Sequence, residues 1–345
     1  MRVPSYFCLE SLASSDDTGM HAVKGRLAAI LAMRTFSAAL PLGFAVESTY
    51  SQISSEGVER HFIVSARAAS LADAIVADPS DANSMYWNPS LLSFLRERSL
   101  ITNYSLERIR SRDAIMNEGL VVPIILEPGW VLGLGALYSH VGHIQEGGPL
   151  SGYDYRQGSS DIALSLAVAR ALSVGCIATI RLGRAGSKAI TAMSSAFGMT
   201  YQPSPEMSYG LSFQGFGNSI EYLLDTATSG TNPGLARLPQ SLQLGVTLQF
   251  DALKDRPTIA ISVADQKVFG VKGHIYKGGL EVWPVRFLAL RLGYWVGSQT
   301  VAARYGSGIR LGQWQVDYGV STTELEPMYH QISLSYCFSS HLDRR

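Results

Sequence analysis

The chain has 345 residues, with 28 lysines and arginines against 28 aspartates and glutamates. That neutral balance removes the electrostatic case for a nucleic-acid partner, and a charged fraction of 16% lies well below the roughly 25% of soluble domains. After the N-terminus no stretch offers roughly 18 consecutive apolar residues; the best window, Leu120 to Leu137, is broken by Pro123, Glu127 and Pro128. A membrane-spanning helix is thereby excluded, and a closed barrel is the remaining way to satisfy backbone groups in hydrocarbon.

Residues 1–45 read as an export leader. Lys24 and Arg26 precede the apolar run Leu27 to Ala32, Arg34 interrupts it, and a second apolar run from Phe36 ends on the small-x-small triplet Gly43-Phe44-Ala45. Translation from Met33 would place Arg34 ahead of a clean apolar run. Residues 46–98 follow as a short plug. Within it Asn88 can cap a helix whose first position, Pro89, needs no N–H, and Leu91, Leu92 and Leu95 give that helix an apolar stripe. Asp81 can cap a preceding turn holding Met85 and Tyr86.

From Ser99 the dominant signal has period two, as strands require. Leu242, Leu244, Val246, Leu248 and Phe250 alternate with Gln243, Gly245, Thr247 and Gln249; Trp314, Val316, Tyr318 and Val320 alternate with Gln315, Asp317 and Gly319. Fourteen such strands are expected, near 99–108, 114–125, 131–142, 160–170, 172–182, 190–201, 207–216, 240–250, 256–264, 272–282, 285–295, 301–311, 314–321 and 330–338. The even-numbered connections are tight, among them Glu127-Pro128-Gly129, Trp283-Pro284 and Gly312-Gln313, and the long ones, 143–159, 217–239 and 322–329, are odd-numbered. Tight turns on one side and long loops on the other describe an antiparallel transmembrane β-barrel over 99–338 with both termini in the periplasm. A tail, 339–345, follows it. Leu244 should face lipid and Gln243 the lumen. Cys176 and Cys337 fall on opposite faces of distant strands, so no disulfide is expected between them.

Three features resemble known outer-membrane proteins. The last strand, Gln331 to Phe338, resembles a C-terminal signal for the barrel assembly machinery, carried by Tyr336 and Phe338, although seven residues follow it. The stretch from Ser65-Ala66-Arg67-Ala68 through Asp81 to Tyr86-Trp87-Asn88-Pro89 resembles the plug of the PorV/PorQ and FadL-like superfamily. Strand pieces such as Leu238-Pro239-Gln240-Ser241-Leu242 and Phe287 to Tyr294 are similar to its PorV side. The family usually has glycine where this chain has Ala68, Ser70 and Ala72. The resemblance implies a bacterial outer-membrane location, a plug motif of Arg67, Asp81, Trp87, Asn88 and Pro89, and outer-membrane lipid as surroundings.

The sequence carries no HExxH, paired CxxC, P-loop or GxSxG, so no enzymatic activity, metal or cofactor is expected. Three functions are weighed. The resemblance puts first a PorV-like component of type IX secretion that receives exported proteins with C-terminal sorting domains, or docks other secretion components, through loop residues Tyr153, Tyr155, Tyr222, Leu223 and Leu224. The alternatives are a FadL-like channel for hydrophobic small molecules, gated by the plug, and a structural outer-membrane protein.

Overall fold

The computed structural model describes residues 65–95, 97–110, 113–143, 155–185, 188–217, 220–221, 235–236, 240–250, 259–297, 301–322 and 329–338. Among them no helix is long and apolar enough to cross a membrane. The crossing is made by strands: β1 (Arg98–Arg110), β2 (Asp113–Glu127), β3 (Trp130–His143), β4 (Tyr155–Ala169), β5 (Leu172–Ala185), β6 (Lys188–Ser204), β7 (Met207–Gly217), β10 (Ser241–Phe250), β11 (Ile259–Val268), β12 (Ile275–Val285), β13 (Leu288–Val296), β14 (Val301–Leu311), β15 (Trp314–Thr322) and β16 (Tyr329–Phe338). These fourteen form one closed antiparallel barrel in which β7 pairs β10 and β1 pairs β16, from Arg98 opposite Phe338 to Glu107 opposite Tyr329. Between β7 and β10, two-residue strands β8 (Ile220–Glu221) and β9 (Leu235–Ala236) pair with each other outside the barrel.

The alternation read from sequence sets the facing. On β10 Leu244 is 49% exposed on the outer wall and Gln243 3% exposed inside. The same outward phase carries Ile162, Leu182 and Phe197. Aromatic side chains flank this apolar band: Trp130, Tyr201, Tyr209, Trp314 and Phe338 at the tight-turn end, and Tyr138, Tyr276 and Tyr294 toward the loop end. Tyr336 and Phe338 belong to the first girdle, with Tyr336 against both Trp314 and Phe338 and its hydroxyl donating to Gln313 Oε1 at 2.7 Å. Cys176 points outward and Cys337 inward; both are free thiols.

Several sequence expectations need correction, among them the ends of β11 and β12, which run to Val268 and Val285 instead of 264 and 282. β4 begins at Tyr155, five residues before its expected start, because Tyr155 pairs with Ala185 and Arg156 pairs with both His140 and Arg184. Tyr155 is thus a strand residue rather than a loop residue. The extension was not legible because Arg156, Gly158 and Ser160 carry no apolar alternation above the lipid band. Trp283-Pro284 is not a turn: β12 continues to Val285, and the turn is Arg286-Phe287. The ladder shifts register between Val282 and Val285, where a proline without N–H costs least. Pro203 lies within β6 at a similar shift, between Tyr201 and Ser204. Tyr153, Tyr222, Leu223, Leu224, the leader and the 339–345 tail lie outside the described residues.

Candidate functional site

The barrel interior is occupied by residues 65–95. Ser65 caps the helix α1 (Ala66–Ser70), its side chain accepting from Ala68 N. Two short 3₁₀ helices follow. In the first (Ala82–Tyr86) Asp81 accepts from Asn83 N, and in the second (Pro89–Phe94) Asn88 accepts from Ser90 N with Pro89 in the first turn. Both caps were expected from sequence, and they hold 3₁₀ turns where helices were expected. α1 lies against β13–β16, and the second 3₁₀ helix against β3–β6.

Two different walls receive these pieces. On the β1–β6 side, Ile101, Val121, Val131, Leu137, Ala163, Ile177 and Ala196 face inward and pack with Met85, Tyr86, Trp87 and Leu92. Trp87 is buried there and makes this apolar contact. On the opposite side the wall carries charges, beside a smaller apolar patch of Val268, Ile275, Trp295 and Ala302 around Ala72. Arg67 Nη2 donates to Asp78 Oδ2 at 2.6 Å and its Nε to Glu281 Oε2 at 3.0 Å, with Asp81 at 3.8 Å. Glu281 also receives Arg291 Nε at 2.5 Å, and Arg291 Nη1 reaches Asp317 at 2.7 Å. A second link, Arg304 to Asp73 at 2.7 Å, lies nearby. Burial opposes the charge on Arg67, but Asp78, Glu281 and Asp81 outweigh it and hold its pKa well above the ordinary value. Burial likewise lifts the Asp81 carboxyl above the usual range, against the pull of Arg67. A 730 Å³ vestibule at the tight-turn end opens onto Arg67, Asp81 and Glu281, with Arg286 and Arg310 among its other lining residues.

Asn88 is the clamp between the two halves. Its amide donates to Val76 O at 2.7 Å, Thr200 Oγ1 at 3.1 Å and Met199 O at 3.3 Å, while Oδ1 accepts from Ser90 Oγ at 2.6 Å. Ser93 Oγ donates to Ser173 Oγ at 2.6 Å, and Ser165 and Ser173 both donate to Ser90 O. Tyr86 donates to Asp161 Oδ2 at 3.1 Å; burial first, and then the Asp161 charge, raise the phenol pKa well above 10.0. Gln214, beside a bulge at Gly215, donates to the Tyr86 and Trp87 carbonyls.

The plug comes close enough to the wall that side chains are excluded. A Cβ at Gly293 would overlap Ala72 N, and one at Gly306 would overlap Ser70. Of the three positions where the resemblance leads one to expect glycine, Ala68 and Ser70 are ordinary helical residues and Ala72 alone is left-handed, at φ 55°. Asp73 shares that conformation at φ 58°. Each costs about 1–2 kcal/mol, and the Arg304 ion pair and the bond from Asp73 N to Ala68 O hold them.

The structure therefore brings Arg67, Asp81, Trp87, Asn88 and Pro89 into one plug, with Tyr336 and Phe338 apart in the girdle. The wall partners Glu281, Arg291, Arg304 and Asp317 were not singled out from sequence. Their signal was present: Leu280-Glu281-Val282, Leu290-Arg291-Leu292 and Val316-Asp317-Tyr318 each set a charge between two outward apolar residues, which aims the charge into the lumen.

The barrel fold recurs among solved structures. The fold is that of FadL-like outer-membrane barrels. The toluene transporter TbuX of Ralstonia pickettii superposes with a TM-score of 0.54 at 12% identity, over 75% of this chain and 94% of its own. The CymD monoaromatic hydrocarbon channel gives 0.55 at 15%, over 81% and 98%. A Pseudomonas aeruginosa FadL homologue gives 0.53 at 14%, over 81% and 100%. No protein-family model and no curated protein sequence matches the chain. TbuX is a toluene transporter and CymD a hydrocarbon channel; this barrel shares their fold, and its lipid-facing band is that of a bacterial outer-membrane protein.

Proposed function

We propose that this protein passes small hydrophobic molecules across the outer membrane, the plug acting as the gate. The observation that carries the reading is the division of the lumen. An apolar wall surrounds Met85, Tyr86, Trp87 and Leu92 on one side, and the Arg67 ion-pair cluster anchors the plug on the other. The likeness to hydrocarbon channels supports it. This reverses the order taken from sequence, where secretion stood first: the likeness of fold is to a toluene transporter and a hydrocarbon channel.

Beside Tyr86 the lumen of the described residues is too narrow for such a molecule. The cavity between Tyr86, Leu137, Ile177 and Gly215 holds 70 Å³, against about 150 Å³ for an engineered apolar cavity that admits benzene. Passage therefore requires the plug to shift. The test is uptake of radiolabelled toluene by cells lacking other hydrocarbon channels. Expression of the protein should raise the rate, and Trp87→Ala or Pro89→Ala should change it. Uptake no faster than in cells without the protein, together with capture of a C-terminal sorting domain by the intact chain, would restore the secretion reading.

A further inference from the structure

The plug carbonyls leave an open acceptor on the lumen wall. Gln214 of β7 donates from Nε2 to Trp87 O at 2.8 Å and to Tyr86 O at 3.0 Å. Carbonyl oxygens only accept, so the Gln214 amide can face them only with its nitrogen. Its Oε1 is thereby turned toward Gln243 of β10, which answers with its own amide nitrogen at 3.1 Å. Gln243 Oε1 is the end of this chain, and it has no hydrogen-bond partner among the described residues. Gln266, beside Gln243 on β11, directs its amide nitrogen to Ser241 Oγ at 3.2 Å instead.

Ser212 is the direct partner of Gln243 across β7 and β10, and its hydroxyl is likewise without a partner among the described residues. It shares the lumen phase of β7 with Ser208, which donates to Ala77 O, and Gly210, which lies against Val76 O. Ser212 is 0% exposed and Gln243 3%. Facing residues on paired strands hold their Cβ atoms about 5 Å apart, and buried polar groups left open are costly. The two fit one kind of guest. A hydroxyl group between them donates its proton to Gln243 Oε1 and accepts the Ser212 proton; a methyl group there meets neither need. The place also matters. Gln214 lines the cavity beside Tyr86, together with Leu137, Ile177 and Ala196, so the open pair adjoins the apolar seat of the plug.

We propose that Ser212 and Gln243 bind the hydroxyl of a phenolic ligand whose ring enters the apolar cavity beside Tyr86 when the plug shifts. The pair makes the lumen selective for hydroxylated monoaromatic compounds over the parent hydrocarbons. The site's place on a transport route rests on the channel reading; its hydrogen bonding does not.

The test is isothermal titration calorimetry of p-cresol, and separately of toluene, into the purified full chain in detergent. The two compounds differ by one hydroxyl. Wild type should bind p-cresol the more tightly, and that preference should be about tenfold or more lower in Ser212→Ala/Gln243→Met. Because the preference is a ratio, uptake of either compound by the detergent cancels between variant and wild type. Heat-modifiable migration reports assembly; should the double variant fail to assemble, Ser212→Ala alone carries the comparison and should narrow the preference. No binding of p-cresol by wild type, or the same preference in variant and wild type, would overturn the proposal and leave the pair to a water molecule. The expected preference and its loss in the variant, with neither compound taken up by cells, would count against the channel and leave the site standing.

Discussion

Replacing Arg67 should unlatch the plug while leaving the barrel closed. Arg67 is 5% exposed and bridges Asp78 of the plug to Glu281 of β12. In Arg67→Met the Asp78 carboxylate, 1% exposed, keeps only the Ser80 hydroxyl among the partners seen here. Removing one member of a buried ion pair costs about 3–5 kcal/mol, which raises the undocked fraction of the plug roughly 10²- to 10⁴-fold. Glu281 is better protected, because Arg291 still binds it. Arg67→Lys keeps the charge but not the fork, so it should cost about 1.5–3 kcal/mol, the worth of a charged hydrogen bond. Limited proteolysis in detergent separates the two parts: cleavage within 65–95 should accelerate by at least the lower factor, while the heat-modifiable barrel band persists. Cleavage within twofold of wild type would refute the reasoning that this cluster anchors the plug.

Other outcomes follow from the same geometry. Leu244→Arg puts a cation on the lipid wall at about 2–4 kcal/mol and should reduce folded barrel in membranes far more than Gln243→Arg, which faces the polar lumen; equal yields would refute the β10 facing. Asn88→Asp keeps the cap acceptor but loses the amide donor to Val76, Met199 and Thr200; at about 1 kcal/mol per bond it should lower the plug's protection in hydrogen exchange by more than tenfold, with barrel strands unaffected. Gly210→Leu forces a side chain against the Val76 carbonyl, so the barrel should assemble with the plug displaced and protease-sensitive.

The barrel was legible because lipid imposes a strict rule on every second residue. All fourteen strands appear where alternation of Leu, Val and aromatic residues marks them, and the errors fall where that rule lapses. Tyr155 to Ser159 rise above the apolar band, and Pro284 sits in a strand end that tolerates a broken ladder. The plug caps were legible because Asp81 and Asn88-Pro89 act on neighbours two residues away. The plug's seat was not, because it depends on contacts such as Arg67 to Glu281, 214 residues apart in sequence, and on bare wall positions such as Gly293 and Gly306. The loop residues first offered as a partner surface gave no local pattern of this kind. Their part in secretion rested on resemblance, and the channel reading now stands ahead of it.

The central claim is that hydrophobic molecules pass only when the plug moves. Ser93 in the plug and Ser173 on β5 place their hydroxyl oxygens 2.6 Å apart, near enough for cysteines there to form a disulfide of about 2.05 Å. In a chain with Cys8, Cys176 and Cys337 replaced by alanine, Ser93→Cys/Ser173→Cys should take up radiolabelled toluene at the wild-type rate when reduced. On oxidation uptake should fall to the rate of cells without the protein, and reductant should restore it. Undiminished uptake by the fully oxidised, cross-linked protein would contradict the account.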